Sequence, residues 1–450
     1  MKASCPCEEE ASIAKQAGSG ELDREGEDPF SNPANLILGS YEQIKKARKE
    51  LEGIILKTPL VKSKLSELVG INIYIKLENE QPTGSFKERG ARYAIMNMPE
   101  DKKHNGVYTG SSGNHALSIA YHGKLLGVPV TVVMPTIAPL TKIEKCELLG
   151  ATVITYGLTV FEAKTHAIKL AKEKNGYYIN GCDHPHVLSG AGTVGIEVLE
   201  QLPTANAVVI PVGGGGLIAG MAVAIKTLKP CTKIIGVESE NCKSFNNSLK
   251  AGKPVFTEVL STIADGLASP FPGYNAVATA RDLVDRMLVV KEDDIAVSIL
   301  RLVEYEKLVI EGAGAAALAP VLSGQLNDFK GKNVVLILTG GNIDTTVLGR
   351  VLERGLAADG RLVKLYVTIT DKAGSVGELT KLIASIGVSV KSIHLERTWI
   401  LTDVFSMVIK VVCETKDFDH ALQLETLVKN HYNEVAMVHA DFPASTSVKP

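Results

Sequence analysis

The sequence predicts an α/β protein with a second, smaller domain at its C-terminal end. Three observations carry that expectation. Short β-rich runs alternate with helical stretches from Ile71 to about residue 338, the pattern of a mainly parallel sheet with helices on both faces. Several runs are almost wholly apolar, among them Val128-Pro-Val-Thr-Val-Val-Met134, as strands buried on both faces must be. Beyond about residue 360 the order changes to strand, helix, strand, strand, helix, strand, which is the split βαβ arrangement of ferredoxin-like domains.

The strand-like runs fall at 73–77, 106–109, 129–134, 151–155, 177–180, 207–211, 233–238, 286–290 and 333–338. Between them lie helical stretches such as 114–126, 139–149, 160–173, 188–201 and 215–228, and a helix over Tyr41 to Leu51 precedes them all. Residues 1–38 are polar and rich in Glu, Asp, Gly and Ser. They bury too little apolar area to order themselves and read as a disordered or loosely docked extension. Cys5-Pro-Cys7 has no second cysteine pair or histidine beside it, so two thiols on a tail is the better reading than a metal site.

Composition excludes several classes. At 450 residues the chain holds more than one domain. A net charge of -2 argues against nucleic acid or an anionic membrane surface as the main partner. No apolar run reaches the length of a bilayer span, and the N-terminus has the order of neither a signal nor a transit peptide. Seven scattered cysteines suit reduced thiols and a cytoplasmic location.

Chemistry is expected in the loops that follow the strands, at their carboxyl ends. Gln81-Pro-Thr-Gly-Ser-Phe-Lys-Glu-Arg-Gly-Ala91 turns from strand to helix, with Ser85 as the expected N-cap and Lys87 in the first helical turn. The helix dipole disfavours an ammonium there, which suits a neutral, nucleophilic amine. Thr109-Gly-Ser-Ser-Gly-Asn-His115 opens a helix with small residues whose amides can close round an anion such as a carboxylate. In it, Asn114 can bond an oxygen and Ser112 can carry a proton, while His115 reads as a structural histidine. Pro211-Val-Gly-Gly-Gly-Gly-Leu217 has neither the Lys-Ser/Thr ending nor the spacing of a nucleotide fingerprint. It reads as a cradle for one phosphate. Thr339-Gly-Gly-Asn342 ends the last strong strand, and Glu238 and Glu311 are further candidate carboxylates. Asp183-His-Pro-His186 reads as a loop rather than a metal site.

Together these four segments, in this order, resemble the fold-type II (tryptophan synthase β-like) pyridoxal-phosphate enzymes. Within them the resemblance is to the serine/threonine dehydratase branch, the threonine ammonia-lyases, and it spans about residues 40–355. It implies a catalytic domain over 39–356 made of two open, twisted, mainly parallel sheets, with a mobile small subdomain at about 90–190. Lys87 would carry pyridoxal phosphate as an imine and move the substrate's α-proton. Phe86 would lie against the cofactor ring, Asn114 would bond its 3′ oxygen, and Thr339 would face its pyridine nitrogen. Gly213, Gly214, Gly215, Gly216 and Leu217 would hold the phosphate. Ser111, Ser112, Gly113 and His115 would surround the substrate carboxylate. The implied reaction is dehydration and deamination of L-threonine or L-serine to 2-oxobutanoate or pyruvate and ammonia. Serine racemases of this group use a serine at the Ser112 position, so racemisation is the alternative, beside a non-catalytic amino-acid sensor on the same fold. Their metal site needs an Asp where this chain has Ser244, and no metal is expected.

Residues 361–442, with Asp371-Lys-Ala-Gly374 after the first strand, resemble an ACT domain. That implies either an amino-acid effector site or a purely structural dimerisation module. The resemblance further implies a homo-oligomer, dimer or tetramer, with a small amino acid as substrate.

Overall fold

Every β-rich run expected between Ile71 and Leu338 forms a strand in the computed structural model, which describes residues 28–398 and 404–438. Cys5-Pro-Cys7, the rest of the extension up to residue 27 and the end of the C-terminal domain lie outside the described residues. The chain divides into two compact units. The first takes the residues up to Glu292 with Ile310–Val321 and Gln325–Asn342, and the second takes Asp293–Val309, Leu322–Gly324 and the residues from Ile343 onward.

The strands of the first unit are β1 (Leu60–Lys62), β2 (Asn72–Leu77), β3 (Val107–Gly110), β4 (Val130–Met134) and β5 (Thr152–Thr155), then β6 (Tyr177–Tyr178), β7 (Ala207–Pro211), β8 (Lys233–Ser239), β9 (Arg286–Val290) and β10 (Asn333–Leu338). Six of them form one sheet in the order β1-β2-β10-β7-β8-β9, parallel except for the short edge strand β1. The other four form a wholly parallel sheet in the order β5-β4-β3-β6. All five residues of β7 are buried, as its near-continuous apolar sequence requires. The helices Pro185–Gln201 and Gly216–Leu228 approach each other closely because Gly192 meets Gly220, and a Cβ on Gly192 would lie 2.9 Å from the Gly220 carbonyl oxygen.

The helix that begins at Lys87 is anchored from below by a buried ionic network. Arg89 donates to both carboxylate oxygens of Glu78 and to both of Glu197, at 2.8–2.9 Å. Lys76, on β2, donates to Glu197 at 2.7 Å, to the Thr58 carbonyl at 2.7 Å and to Gln201 at 2.9 Å. All four charged side chains are at most 2% exposed. Two cations and two carboxylates therefore balance out of water, joining strand β2 to helices Lys87–Met96 and Pro185–Gln201.

The boundary of the N-terminal extension differs from the expectation. The sequence places residues 28–38 in a disordered or loosely docked segment, yet Asp28 and Ser31 are buried and bonded to the Asn180–Asp183 turn. The reason is tertiary, since these polar side chains find buried polar partners that composition does not reveal.

In the second unit, β11 (Leu362–Thr370), β12 (Ser389–Glu396), β13 (Ser406–Glu414) and β14 (Val435–Val438) form an antiparallel sheet in the order β12-β13-β11-β14. Helices Ser375–Ala384 and Phe418–Lys429 supply Leu379, Ile383, Leu424 and Val428 to its core. This is the expected βαββαβ order. Helix Thr345–Ala358 belongs to the same unit, where Arg301 pairs with Asp359 at 2.6 Å.

Breaking the buried network is expected to be severe, because removal of one partner strands a charge in the interior. Glu197→Ala leaves Arg89 and Lys76 short of a carboxylate and should destabilise the protein by about 3–5 kcal/mol. Chemical denaturation measures this, and a variant as stable as the wild type would contradict the network's role.

Candidate active site

The amine of Lys87 sits at the first position of helix Lys87–Met96 and donates a hydrogen bond to the carbonyl oxygen of Gly181. Its Nζ is 5.2 Å from the centroid of the Phe86 ring. Its pKa lies below the ordinary lysine value. Loss of water is the main cause, opposed in part by Cys182 and Glu311. Burial lowers it in the same direction as the helix dipole expected from the sequence.

The expected N-cap is corrected. Phe86, not Ser85, occupies the cap position, and it makes no side-chain cap bond. Ser85 instead forms a β-bridge with Gly340, while Phe86 N–H donates to the Thr339 carbonyl at 3.0 Å and Gly341 N–H to the Gly84 carbonyl at 2.9 Å. Tertiary pairing with the Thr339–Asn342 loop has overridden the local capping preference. The buried Ser85 hydroxyl is left without a hydrogen-bond partner.

The same loop reaches the segment that follows β3. Asn342 Nδ2 donates to Asn114 Oδ1 at 2.8 Å and to the Thr83 carbonyl at 2.7 Å. Asn114 Nδ2 donates in turn to Glu311 Oε1 at 2.7 Å. A Cβ on Gly340 would lie 2.6 Å from Glu311 Oε1, so only glycine lets the loop pass so close to the carboxylate. Glu311 is buried, and that burial, with Asp265 nearby, pushes its pKa up to about 7 although Asn114 and the Asn342 N–H favour the charged form.

Ser111, Ser112 and Gly113 are half-buried at the N-terminus of helix Asn114–Leu126. His115 is buried beneath Gly181, where a Cβ would lie 2.8 Å from the imidazole. His115 Nε2 lies 3.2 Å from the Ile179 carbonyl, so that nitrogen carries the proton and Nδ1 is a buried acceptor without a partner. Burial and the Lys87 amine push its pKa down to about 3, which keeps the ring neutral.

Gly213–Gly216 follow β7 and lead into helix Gly216–Leu228. Gly215 is the N-cap with φ +94°, a left-handed conformation that side chains disfavour. The Cβ of any other residue there would also collide with the Phe245 ring. A Cβ on Gly214 would lie 2.5 Å from Cys182 Sγ, and one on Gly216 would run into the Cys182 carbonyl. The turn Asn180-Gly-Cys-Asp183 therefore touches both the lysine and the glycine loop. Sequence reasoning missed it, and only the position of these residues just after β6 could have flagged them.

Asp183-His-Pro-His186, expected as a loop, is a turn only at Asp183 and His184, and Pro185 and His186 open helix Pro185–Gln201. His184 Nδ1 accepts the N–H of His186 at 3.2 Å and caps helix Pro185–Gln201, and His184 Nε2 meets the Tyr177 hydroxyl at 3.0 Å. Glu238 accepts the N–H groups of Phe245 at 2.7 Å and Asn246 at 3.0 Å, so it serves the N-terminus of helix Ser244–Ala251.

A phosphate-bearing aldehyde fits these residues. A primary amine in a half-buried position has its pKa lowered by loss of water, a glycine loop at a helix N-terminus offers amides that have no partner within the helix, and unpaired polar atoms of Ser85 and His115 remain inside.

The comparisons with known proteins agree. Residues 51–340 match the pyridoxal-phosphate dependent enzyme family. An L-threonine ammonia-lyase of Thermotoga maritima is 39% identical over 400 residues, 89% of this chain and 99% of the relative. Among solved structures, the processed form of threonine deaminase isoform 2 from Solanum lycopersicum is 36% identical with a TM-score of 0.66, covering 71% of this chain and 95% of that one. A maize serine racemase is 31% identical with a TM-score of 0.67, covering 71% and 98%. Among the described residues no helix is long and apolar enough to cross a membrane.

Glu311 gives the site a pH signature. Between about pH 4.5 and about 7 the folded protein keeps a proton on Glu311 that the unfolded chain has lost, so this group makes stability fall as pH rises through that window. Glu311→Gln keeps an oxygen for Asn114 and removes the titration. Its thermal midpoint should fall less than that of the wild type over this window, and an unchanged profile would contradict the assignment. With the lysine, the glycine loop and the matched residues in register, the chain belongs to the pyridoxal-phosphate dependent enzymes of fold type II.

Proposed function

We propose that the protein releases ammonia from L-threonine, and from L-serine, giving 2-oxobutanoate or pyruvate. The observation that carries this reading is the desolvated Lys87 amine lying beside a carbonyl, within a site whose glycine loop suits a phosphate. The extent of similarity to an L-threonine ammonia-lyase supports the choice of substrate.

Pyridoxal phosphate, when bound, supplies an aldehyde that links to amines and a ring that accepts the electron pair released at the substrate's α-carbon. In this reading Lys87 Nζ would hold the cofactor and would take the substrate's α-proton. Its lowered pKa keeps the amine unprotonated at lower pH than a free lysine would be. The amides of Gly213–Gly216 and Leu217 bind the phosphate, and Phe86 packs against the ring. Asn114, oriented by Glu311 and Asn342, bonds the ring oxygen. Thr339 offers an uncharged hydroxyl to the ring nitrogen. Ser111, Ser112, Gly113 and the N-terminus of helix Asn114–Leu126 bind the substrate carboxylate. His115, buried and neutral, supports the Gly181 turn. Ser112 is the one residue that favours a second reading, reprotonation of serine from the opposite face, and the similarity to a serine racemase keeps that reading open.

Residues 361–442 we assign to an ACT-like regulatory or oligomerisation domain, supported by the βαββαβ order and by the Asp371–Gly374 turn leading into helix Ser375–Ala384. Exposed Val390 and Leu395 on edge strand β12 support assembly into a dimer or tetramer. Among the described residues the cysteines form no disulfide, which supports a reducing, cytoplasmic location.

The test is 2-oxo acid release from L-threonine and L-serine with added pyridoxal phosphate. Lys87→Ala should lose at least ~10²-fold in rate, and a variant as active as the wild type would overturn the assignment. Chiral analysis of residual serine in the same assay separates elimination from racemisation. A full-length protein indifferent to threonine excess and to branched-chain amino acids would overturn the regulatory role of the C-terminal domain.

A further inference from the structure

We infer that residues 28–39 form a strap whose Asp28 and Ser31 are positioning residues for the cofactor site, acting through the Asn180–Asp183 turn. The inference rests on the proposed function, since it concerns how the Lys87 and glycine-loop surfaces are held.

The turn is organised by one buried amide. Asn180 Oδ1 accepts the N–H groups of Cys182 at 3.0 Å and Asp183 at 3.1 Å, and the Cys182 thiol at 3.4 Å. Its Nδ2 donates to Asp28 Oδ2 at 3.2 Å. Asp28 thus decides which end of the amide faces the turn, because reversing it would set N–H against N–H. Asp28 is 1% exposed, and a carboxylate is not buried without specific partners.

Ser31 holds the far end of the same turn. Its hydroxyl donates to Asp183 Oδ2 at 2.6 Å, while Asp183 Oδ1 accepts the Ala276 N–H at 2.9 Å. Asn275 then sews the strap down, with Nδ2 donating to the carbonyls of Phe30 and Asp183 and Oδ1 accepting the Ile37 N–H. The Phe30 ring packs on His184, with centroids 4.3 Å apart.

What the turn carries makes this a matter of function. Gly181 supplies the carbonyl that meets the Lys87 amine, and Cys182 lies against Gly214 and Gly216. A turn free to shift would move the back wall of both at once. The strap therefore sets lysine geometry and loop geometry without touching substrate or cofactor.

The test uses full-length holoenzyme carrying Asp28→Ala, Ser31→Ala, Ser31→Thr as the conservative rescue, and Asn35→Ala as an exposed control within the strap. Two rates are read, loss of pyridoxal phosphate absorbance on dialysis and alkylation of Cys182 by iodoacetamide, mapped by mass spectrometry. Each alanine variant at Asp28 or Ser31 should raise both rates about tenfold, the effect of losing one buried charge-assisted hydrogen bond. Ser31→Thr and Asn35→Ala should stay near the wild type. Ser31→Ala removes a single oxygen and remains readable if Asp28→Ala fails to fold. Unchanged rates in the alanine variants would overturn the inference. So would equal acceleration at buried Cys146 and Cys242, which would mean general loosening. If the wild type bound no pyridoxal phosphate, the functional reading would fall, and Cys182 alkylation alone would decide for or against the strap.

Discussion

Two lysines withdrawn from water face different partners, and the contrast organises the catalytic unit. Lys76 meets the Glu197 carboxylate at 2.7 Å, and Glu197 and Glu78 offset part of the burial that lowers its pKa. Lys87 meets a backbone carbonyl, which accepts a hydrogen bond but supplies no countercharge. Loss of water disfavours the charged form of that amine more than Cys182 and Glu311 favour it, and the protein must fix that arrangement rigidly. The ionic network does so from below, because Arg89 lies two residues along the helix from Lys87 and is held by four carboxylate oxygens.

The remaining walls of the site are built from places where side chains would not fit. Gly340 passes Glu311, Gly181 passes His115, and Gly214 and Gly216 pass Cys182. Backbone N–H and C=O groups are thereby brought where side chains usually stand, at the ends of parallel strands β7 and β10, where open α/β sheets bind ligands. Asn114 joins these walls, since one amide receives from Asn342 and donates to Glu311.

Much of this was legible in the sequence, because the signals are local. The Lys87 turn, the two glycine-bearing loops and Thr339–Asn342 each sit within about seven residues, and alternation placed them after strands. Edge strand β1 was missed because three residues carry no periodicity. Ser85 was misread as a cap because its partner, Gly340, lies far along the chain. The Asn180–Asp183 turn and the docking of Asp28 and Ser31 escaped for the same reason. Their hydrogen bonds span about 150 residues, and nothing in their neighbours announces them. Glu311 stood out only weakly, since its raised pKa comes from burial that a single sequence does not display.

The most direct test of the account is chemical. Holoprotein reduced with borohydride and digested should carry the pyridoxyl group on the peptide containing Lys87, and on no other lysine peptide. Modification of a different lysine, or of none, would contradict the claim that this desolvated amine is the residue about which the site is built.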